Sequence, residues 1–314
     1  MRALIIRDQQ LRVEERRDPQ PGAGEILVRV RAAGLNGADM LQRRGRYPAP
    51  PGSPQDIPGL ELAGEVVGLG PGATRYQDGD RVMAIVGGGG QAELAVVHER
   101  VLMAVPERLD WPAAGGLPEV FTPAHDALFT QAGLKPGERL LIHGGAGGVG
   151  TAAIQLGRVA GARVSATVRN DALCDRVAQL GAEVLEPEGF GEHGPFDVIL
   201  ELVGAPNLGE NLGALATSGR IVVIGIGAGA KAELNLAALM ARRGRIMGST
   251  LRARPLEEKA FTARAMERSV LPLFRSGAVE VPVADTYPLG EAEAAYERFT
   301  AGGKLGKIVL LMEG

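Results

Sequence analysis

Cysteine and histidine are scarce in this sequence, which holds one cysteine and four histidines among 314 residues. A single cysteine, Cys174, cannot form an intramolecular disulfide framework or a zinc site built from several thiolates. The histidines His98, His125, His143 and His193 lie far apart, without the spacing of metal ligands. We therefore predict that the protein has no metal site.

Long apolar runs and an excess of charge are also missing. No stretch of about 18 apolar residues occurs, and the first residues, MRALIIRDQQL, lack the apolar segment of a signal peptide. The net charge is −3 and the isoelectric point is near 5.9, so neither nucleic acid nor an anionic membrane is favoured as a partner. We expect a cytoplasmic protein that acts on a small molecule.

Glycine, by contrast, is abundant, and one cluster of the 46 glycines lies in a specific context. The apolar run Leu140–Ile142 is typical of a buried parallel strand, and Gly145, Gly147 and Gly150 follow it with G-x-G-x-x-G spacing. Apolar residues then recur as on one face of a helix, and a second apolar strand begins at Ala162. This order of strand, turn and helix predicts a βαβ unit that binds a dinucleotide.

The turn has the chemistry that a diphosphate requires. Glycine permits a tight turn and close approach of the backbone, and the N-terminus of the following helix offers unpaired N–H groups. We predict that the coenzyme is bound by the residues of this turn, Gly145, Ala146, Gly147, Gly148 and Val149. The alternative is a structural glycine turn without a ligand.

The end of the second strand indicates which dinucleotide is bound. An NAD site usually carries Asp or Glu there, whereas this sequence has Val168-Arg169-Asn170, with no acid before Asp171. Arg169 can bind a 2′-phosphate through a charge-assisted fork, and Asn170 can donate to it. NADPH is therefore the predicted coenzyme. The alternative is that Arg169 is one solvated arginine among many.

The pattern of strands and helices divides the chain into two domains. Residues 2–106 show short strands separated by glycine and proline turns, whereas strands alternate with helices after Trp111. The final strand, Lys307 to Leu311, is predicted to return to the sheet of the first domain and to close a cleft between the domains. We predict an α/β protein with a β-rich catalytic domain of residues 1–118, completed by residues 257–314, and a parallel-sheet nucleotide-binding domain of residues 119–256.

Residues 36–58 interrupt the strand pattern of the first domain with a polar, proline-rich stretch. A loop of this length in a compact domain is usually functional or disordered. We expect it to form one wall of a ligand pocket.

Short motifs occur in a fixed order along the whole chain: Ala32-Ala33-Gly34-Leu35-Asn36, Gly45-x-Tyr47-Pro48, Pro58-Gly59-Leu60-Glu61, Gly79-Asp80-Arg81-Val82, Ala146-Gly147-Gly148-Val149-Gly150 and Gly306-Lys307-Ile308-Val309. Together they make the sequence resemble the quinone oxidoreductase, or zeta-crystallin-like, branch of the zinc-independent medium-chain dehydrogenase/reductases. The resemblance implies a GroES-like β-rich catalytic domain and a Rossmann-type parallel sheet domain. It also implies a dimer or a tetramer paired through the nucleotide-binding domains, and we expect a homodimer.

The resemblance also concerns zinc. Zinc-dependent relatives bind a catalytic metal with a cysteine and a histidine, and Asn36 and Leu60 occupy these positions here. Neither side chain supplies a thiolate or an imidazole. A zinc-free enzyme is therefore implied.

Without a Lewis acid, reduction of an already electrophilic acceptor is the expected reaction. The resemblance places Asn36, Tyr47 and Thr122 near the nicotinamide and the acceptor. Asn36 can donate to a developing oxyanion, and Tyr47 can orient the acceptor or supply a proton. The alternatives are a loop-capping asparagine, an exposed tyrosine and, for Thr122, an ordinary helix cap. Asp39 and Glu61 are expected to orient the loop.

Further coenzyme contacts are predicted at Gly225, Ile226, Ser249, Leu251 and Lys307. For Lys307 the alternative is an exposed lysine. Many relatives carry a lysine for the 2′-phosphate where Leu173 stands here. Arg169, alone or together with Arg176, would replace it.

The leading prediction is an NADPH-dependent oxidoreductase that transfers hydride to quinones. The first alternative is an NADPH-dependent reductase of the carbon–carbon double bond of enones or enals. The second is a non-catalytic NADPH-binding protein.

Overall fold

The chain divides into two compact units in the computed structural model, which describes residues 1–312. Unit 1 comprises Met1–Thr122, Leu251–Gly302 and the residues from Lys307 onward. Unit 2 comprises Pro123–Thr250 and Gly303–Gly306. The predicted limits at residues 118 and 257 lie a few residues from these, and the assignment of a role to each domain stays a prediction.

The strands are β1 (Arg2–Arg7), β2 (Gln10–Glu15), β3 (Glu25–Gly34), β4 (Glu61–Leu69), β5 (Arg81–Ile85), β6 (Leu94–His98), β7 (Met103–Ala104), β8 (Arg139–Ile142), β9 (Arg163–Thr167), β10 (Glu183–Leu185), β11 (Phe196–Glu201), β12 (Leu215–Val223), β13 (Arg245–Gly248), β14 (Val283–Pro288) and β15 (Lys307–Leu311). The α-helices are α1 (Gly37–Arg43), α2 (Trp111–Gly116), α3 (Pro118–His125), α4 (Gly148–Val159), α5 (Cys174–Gln179), α6 (Leu208–Ala214), α7 (Leu236–Arg242), α8 (Leu256–Ser269), α9 (Leu271–Ser276) and α10 (Ala292–Ala301).

Unit 1 is organised around a seven-stranded sheet in the order β14-β15-β3-β4-β5-β7, with β6 paired to β3. Alternate residues of β3, among them Ile26, Val28 and Val30, are buried in the core, as expected for a half-buried strand. Strand β15 runs antiparallel to β3, with Leu310 opposite Ala33. The predicted return of the final strand to the first sheet is therefore confirmed.

The segment 36–58 is not a loop throughout, because it begins with helix α1. The carboxylate of Asp39 accepts a hydrogen bond from the backbone N–H of Asn36 (2.8 Å), an interaction that stabilises the first turn of this helix. The expectation of an uninterrupted loop was wrong here. The glycine at position 37 and the prolines further on hid a capping pattern, Asn-x-x-Asp.

Unit 2 contains a six-stranded parallel sheet in the order β10-β9-β8-β11-β12-β13. Leu140, Leu141 and Ile142 of β8 are buried without alternation, as expected for a strand covered on both faces. The strand order reverses between β8 and β11. In open parallel sheets, ligands bind outside the carboxyl ends of the strands at such a switch point.

The two units thus form an α/β fold with a Rossmann-type parallel sheet and a separate β-rich sheet, as predicted. Among residues 1–312, no helix combines the length and the apolar composition needed to cross a bilayer. The same residues contain no group of three or more His, Cys, Asp or Glu placed to hold a metal ion.

Candidate active site

The glycine turn of unit 2 connects β8 to α4, and Gly147 is the N-cap of that helix. A Cβ atom at Gly150 would lie 2.4 Å from the carbonyl oxygen of Gly144, and one at Gly145 would lie 2.8 Å from Cβ of Ala166. Both positions therefore require glycine. A Cβ at Gly147 would meet only the Gly144 oxygen, at 3.4 Å, so this side of the turn is open. The turn fits a diphosphate.

Two amides of the turn are already used within unit 2. The N–H of Gly145 donates to the carbonyl of Thr167 (2.9 Å), and the N–H of Gly147 donates to the carbonyl of Gly144 (3.0 Å). These two hydrogen bonds fix the conformation of the turn. Gly148 and Val149 begin α4, where helical N–H groups have no intrahelical acceptor and point at an incoming anion.

Arg169 lies just beyond the carboxyl end of β9 and is exposed. Among residues 1–312, no hydrogen bond or ion pair engages its side chain. Asn170 accepts a hydrogen bond from the N–H of Ala172 (3.1 Å), which leaves its NH₂ group to donate. Leu173, at the position of the lysine of many relatives, is buried. Arg169 is therefore a cation available to a 2′-phosphate here, and Arg176 is exposed as well.

Three further residues of unit 2 were predicted to contact the coenzyme, and they differ in burial and hydrogen bonding. Gly225 follows β12, and a Cβ there would lie 2.3 Å from the Leu202 oxygen, so glycine is required. Ile226 is exposed and lies outside β12, which ends at Val223. The hydroxyl of Ser249 donates to Asp126 (2.8 Å). Coenzyme binding by these residues stays a prediction.

A buried polar cluster of unit 1, here called the Lys307 cluster, consists of Asn36, Glu61 and Lys307. The ammonium Nζ of Lys307 lies 2.6 Å from Oε1 of Glu61, 2.7 Å from the carbonyl oxygen of Leu35 and 2.8 Å from Oδ1 of Asn36. Only 3% of the Lys307 side chain is exposed, so the interpretation as an exposed lysine was wrong. Its three N–H groups all have acceptors. A coenzyme contact by this ammonium would cost one of these bonds.

The side-chain amide of Asn36 is also occupied by hydrogen bonds within unit 1. Its Nδ2 donates to Oε1 of Glu61 (2.9 Å) and to the carbonyl of Gly34 (3.2 Å). The predicted donation from Asn36 to an oxyanion would therefore require one of these bonds to break. The structure instead gives Asn36 the geometry of a residue that positions the start of α1 against β4.

Asp39 fixes the same region of unit 1. It accepts hydrogen bonds from the backbone N–H groups of Asn36 (2.8 Å) and Gly59 (3.0 Å), and its burial raises its pKa to about 6. The bonds tie α1 to the segment before β4. Asp39 thus orients the loop, as expected.

Glu119, at the start of α3, was not found from the sequence. Its backbone N–H donates to Oε2 of Glu61 (2.7 Å), and its own Oε2 is buried without a hydrogen-bond partner in the described part of the chain. Burial raises the pKa of Glu119 to about 8, and the negative charge of Glu61 adds to the effect. The Lys307 ammonium is already engaged by Glu61. Glu119 is therefore a neutral acid at pH 7.

We expect Glu119→Gln to stabilise unit 1 at alkaline pH. The ordinary pKa is 4.5 and the folded value is about 8, so folding favours the protonated acid. The stabilising contribution of this proton is complete below pH 4.5 and is lost as the pH rises to about 8. Glutamine does not ionise, so the variant does not lose stability as the pH rises. Above the folded pKa, its free energy of unfolding should exceed that of the wild type by about 1–3 kcal/mol.

Denaturant unfolding followed by the fluorescence of Trp111, the single tryptophan and a residue of unit 1, measures this difference. The control is Glu107→Gln on the surface of the same unit. Equal wild-type and Glu119→Gln stabilities across the pH range would contradict the assignment of a neutral acid.

Tyr47 is held in place by Arg252, a buried residue that the sequence analysis did not single out. The guanidinium donates to the carbonyl oxygens of Tyr47 (3.0 Å) and Gly87 (2.8 Å) and to Oε1 of Gln42 (2.5 Å). Its central carbon lies 4.9 Å from the centre of the Tyr47 ring, within the range of a cation–π interaction. Tyr47 is half-buried rather than freely exposed.

Thr122 lies inside α3, so the interpretation as a helix cap was wrong. The side chain is buried, and its hydroxyl has no hydrogen-bond partner in the described residues. It lines a small pocket of unit 1 together with Leu251 and Lys259. A buried hydroxyl without a partner costs free energy unless a ligand or water satisfies it.

Comparisons with known proteins cover nearly the whole chain. Residues 22–107 match the alcohol dehydrogenase GroES-like domain, and residues 179–310 match the zinc-binding dehydrogenase family. The quinone oxidoreductase of Rattus norvegicus is 31% identical over 94% of this chain and 91% of its own length. The solved structure of a mycobacterial protein complexed with NADPH is 27% identical, with a TM-score of 0.88 over 99% of this chain and 100% of that one. The spectinabilin polyketide synthase system protein NorB of Streptomyces orinoci is 34% identical over 92% of this chain, which corresponds to 13% of NorB.

Proposed function

The chain belongs to the quinone oxidoreductase family of the medium-chain dehydrogenase/reductases, and from this premise we propose that it reduces quinones with NADPH. Membership makes it an NAD(P)-dependent oxidoreductase. The observation that carries the choice of NADPH is Arg169, an exposed arginine without a partner in the described residues, where an NAD site carries an acid.

Unit 2 binds the coenzyme in this proposal. The open side of Gly147 and the N–H groups of Gly148 and Val149 hold the diphosphate, and Arg169 with Asn170 holds the 2′-phosphate. Gly225, Ile226 and Ser249 are proposed to line the path of the coenzyme beyond the diphosphate. When bound, the coenzyme supplies the hydride.

Unit 1 supplies polar groups to the acceptor. The hydroxyl groups of Tyr47 and Thr122 donate hydrogen bonds to its oxygens, since the amide of Asn36 is engaged within the Lys307 cluster. Asn36 acts by positioning the start of α1 against β4. Leu251 contributes an apolar wall beside Thr122.

The test is a set of initial rates for the wild-type protein with NADPH and NADH against ortho-quinones and α,β-unsaturated ketones. We expect quinones to be reduced and NADPH to be preferred. Faster turnover of the ketones would favour the second candidate, a carbon–carbon double-bond reductase. Binding of NADPH without turnover of any acceptor would leave a non-catalytic NADPH-binding protein.

We also propose that the protein is a homodimer formed through unit 2. Strand β13 is the last strand of the parallel sheet, and within the described residues it pairs only with β12. Nearby, α7 buries none of its residues, and Leu236 and Met240 are 63% and 75% exposed. An unpaired sheet edge beside exposed apolar side chains is suited to pairing with a second copy. A cytoplasmic location stays a prediction from composition.

Met240→Glu should dissociate the dimer, because a second copy would have to bury the new charge. Light scattering at micromolar concentration then reports the 32.7 kDa monomer for the variant. Phe261→Glu, which alters an equally apolar and exposed side chain of unit 1, serves as the control. A monomeric wild type, or an unchanged mass for Met240→Glu, would contradict the proposed surface.

A further inference from the structure

A continuous chain of hydrogen bonds lies beneath the glycine turn of unit 2. It begins at His143, which follows β8 directly and is buried. Nδ1 of His143 lies 3.2 Å from the hydroxyl oxygen of Thr167, and Nε2 lies 2.7 Å from Oδ1 of Asn211. Nδ2 of Asn211 donates to Oε2 of Glu201 (2.8 Å). Four buried polar side chains are thereby joined.

The donors and acceptors of this chain can be assigned in one consistent direction. The N–H of Gly144 donates to the Thr167 oxygen (3.2 Å), so the Thr167 hydroxyl is free to donate to Nδ1 of His143. Burial lowers the pKa of His143, which favours the neutral imidazole that this assignment requires. Its Nε2–H then donates to Asn211. Oε1 of Glu201 accepts from the N–H groups of Val203 (2.6 Å) and Gly204 (2.8 Å).

The chain joins three strand ends at the switch point of the sheet. Thr167 ends β9, Glu201 ends β11, and His143 immediately follows β8. These are the strand ends outside which a dinucleotide binds in this type of sheet. Asn211, from α6, bridges the two sides of the point at which the strand order reverses.

The link to the coenzyme site passes through Gly144. This residue has φ of 67°, a left-handed conformation that glycine adopts without steric cost. Its N–H is bound by Thr167, and its carbonyl accepts the N–H of Gly147, the N-cap of α4. The conformation of Gly144 therefore sets where the start of α4 presents its N–H groups.

We propose that Thr167 and His143 are positioning residues for the coenzyme, which hold the glycine turn in its phosphate-binding conformation through Gly144. The inference rests on the proposed binding of a dinucleotide by this turn. It assigns a functional effect to side chains that do not themselves contact the coenzyme. A purely structural role would instead stabilise the sheet without changing coenzyme affinity.

The test compares Thr167→Val, which removes the hydroxyl at nearly constant shape, with Thr167→Ser, which retains it. Coenzyme dissociation constants are measured from NADPH fluorescence, and KM and kcat from initial rates. We expect Thr167→Val to raise Kd and KM for NADPH about tenfold while kcat at saturating NADPH is retained. Thr167→Ser should stay within about twofold of the wild type.

A matched control is available on the same strand. Ser165 is also buried in β9, and its hydroxyl donates to Glu183 (3.3 Å), away from the glycine turn. Ser165→Ala should lower the melting temperature without changing Kd. If Thr167→Val does not fold, Asn211→Ala interrupts the same chain from α6 and is expected to raise Kd.

The possible results separate the two proposals. A lower melting temperature of Thr167→Val with unchanged Kd would overturn the positioning role and leave a structural one. A rise in Kd of the same size in Ser165→Ala would overturn it as well. If the wild type binds neither NADPH nor NADH, the proposed function fails instead.

Discussion

Arg169→Glu lowers kcat/KM for NADPH by about 100-fold and changes kcat/KM for NADH by less than about threefold. The guanidinium is exposed and unpaired in the described residues, and its planar fork matches the oxygens of a 2′-phosphate. The substituted carboxylate removes these bonds and repels the phosphate. NADH has no 2′-phosphate, so both effects are absent. The ratio of initial rates with the two coenzymes at saturating quinone measures the result.

The control for this prediction lies at the other end of the same strand. Arg163 begins β9, is exposed, and carries the same charge as Arg169. Arg163→Glu therefore changes the net charge identically without altering the carboxyl end of the strand, and we expect an unchanged coenzyme ratio. If Arg169→Glu also leaves the ratio unchanged, the assignment of NADPH to Arg169 is wrong.

Lys307→Met lowers the free energy of unfolding of unit 1 by about 3–5 kcal/mol. Glu61 is fully buried, and Lys307 is the cation 2.6 Å from its Oε1. Without the ammonium, the carboxylate remains buried with only neutral donors, the amide of Asn36 and the N–H of Glu119. An uncompensated buried charge is among the largest single costs in a folded protein. Denaturant unfolding monitored by Trp111 fluorescence reports it for unit 1.

Two variants test whether the effect comes from the ion pair. Arg29→Met removes an exposed cation of the same unit and should change stability by less than about 0.5 kcal/mol. Glu61→Gln combined with Lys307→Met removes both charges, and the double variant should be more stable than the sum of the single losses indicates. Additive losses would show that Glu61 and Lys307 do not depend on each other.

The local parts of this fold were predictable. The strand, glycine turn and helix around Gly145 to Gly150 depend on steric restrictions between residues that are close in sequence. The glycines that satisfy these restrictions can be recognised from their spacing. Strand β15 was predicted because a run of four apolar residues, Ile308 to Leu311, follows the glycine pair Gly302-Gly303. Helix α7 and strands β13 and β14 were missed, since their residues are half-exposed and show no clear alternation.

The polar groups of unit 1 were harder to predict, because their partners are distant in sequence. Lys307 meets Glu61 and Asn36 across more than two hundred residues, and Arg252 reaches Gln42 and Tyr47 across a similar separation. A single sequence gives each such residue only its own propensity, in which a lysine or an arginine is expected to be solvated. Burial and pairing emerge only when the sheet brings the strands together.

The division of the chain has a consequence for synthesis. Nearly all of unit 2 is one continuous segment, Pro123–Thr250, which leaves the ribosome complete while unit 1 still lacks β15. Until residues 307–311 emerge, the carboxyl end of β3 is paired with β4 on one side and lacks its neighbour β15 on the other, and Glu61 has no ammonium beside it. The later half of the nascent chain can therefore acquire its structure before the earlier half, and chains released before residue 307 would carry an unneutralised carboxylate in a core that cannot close.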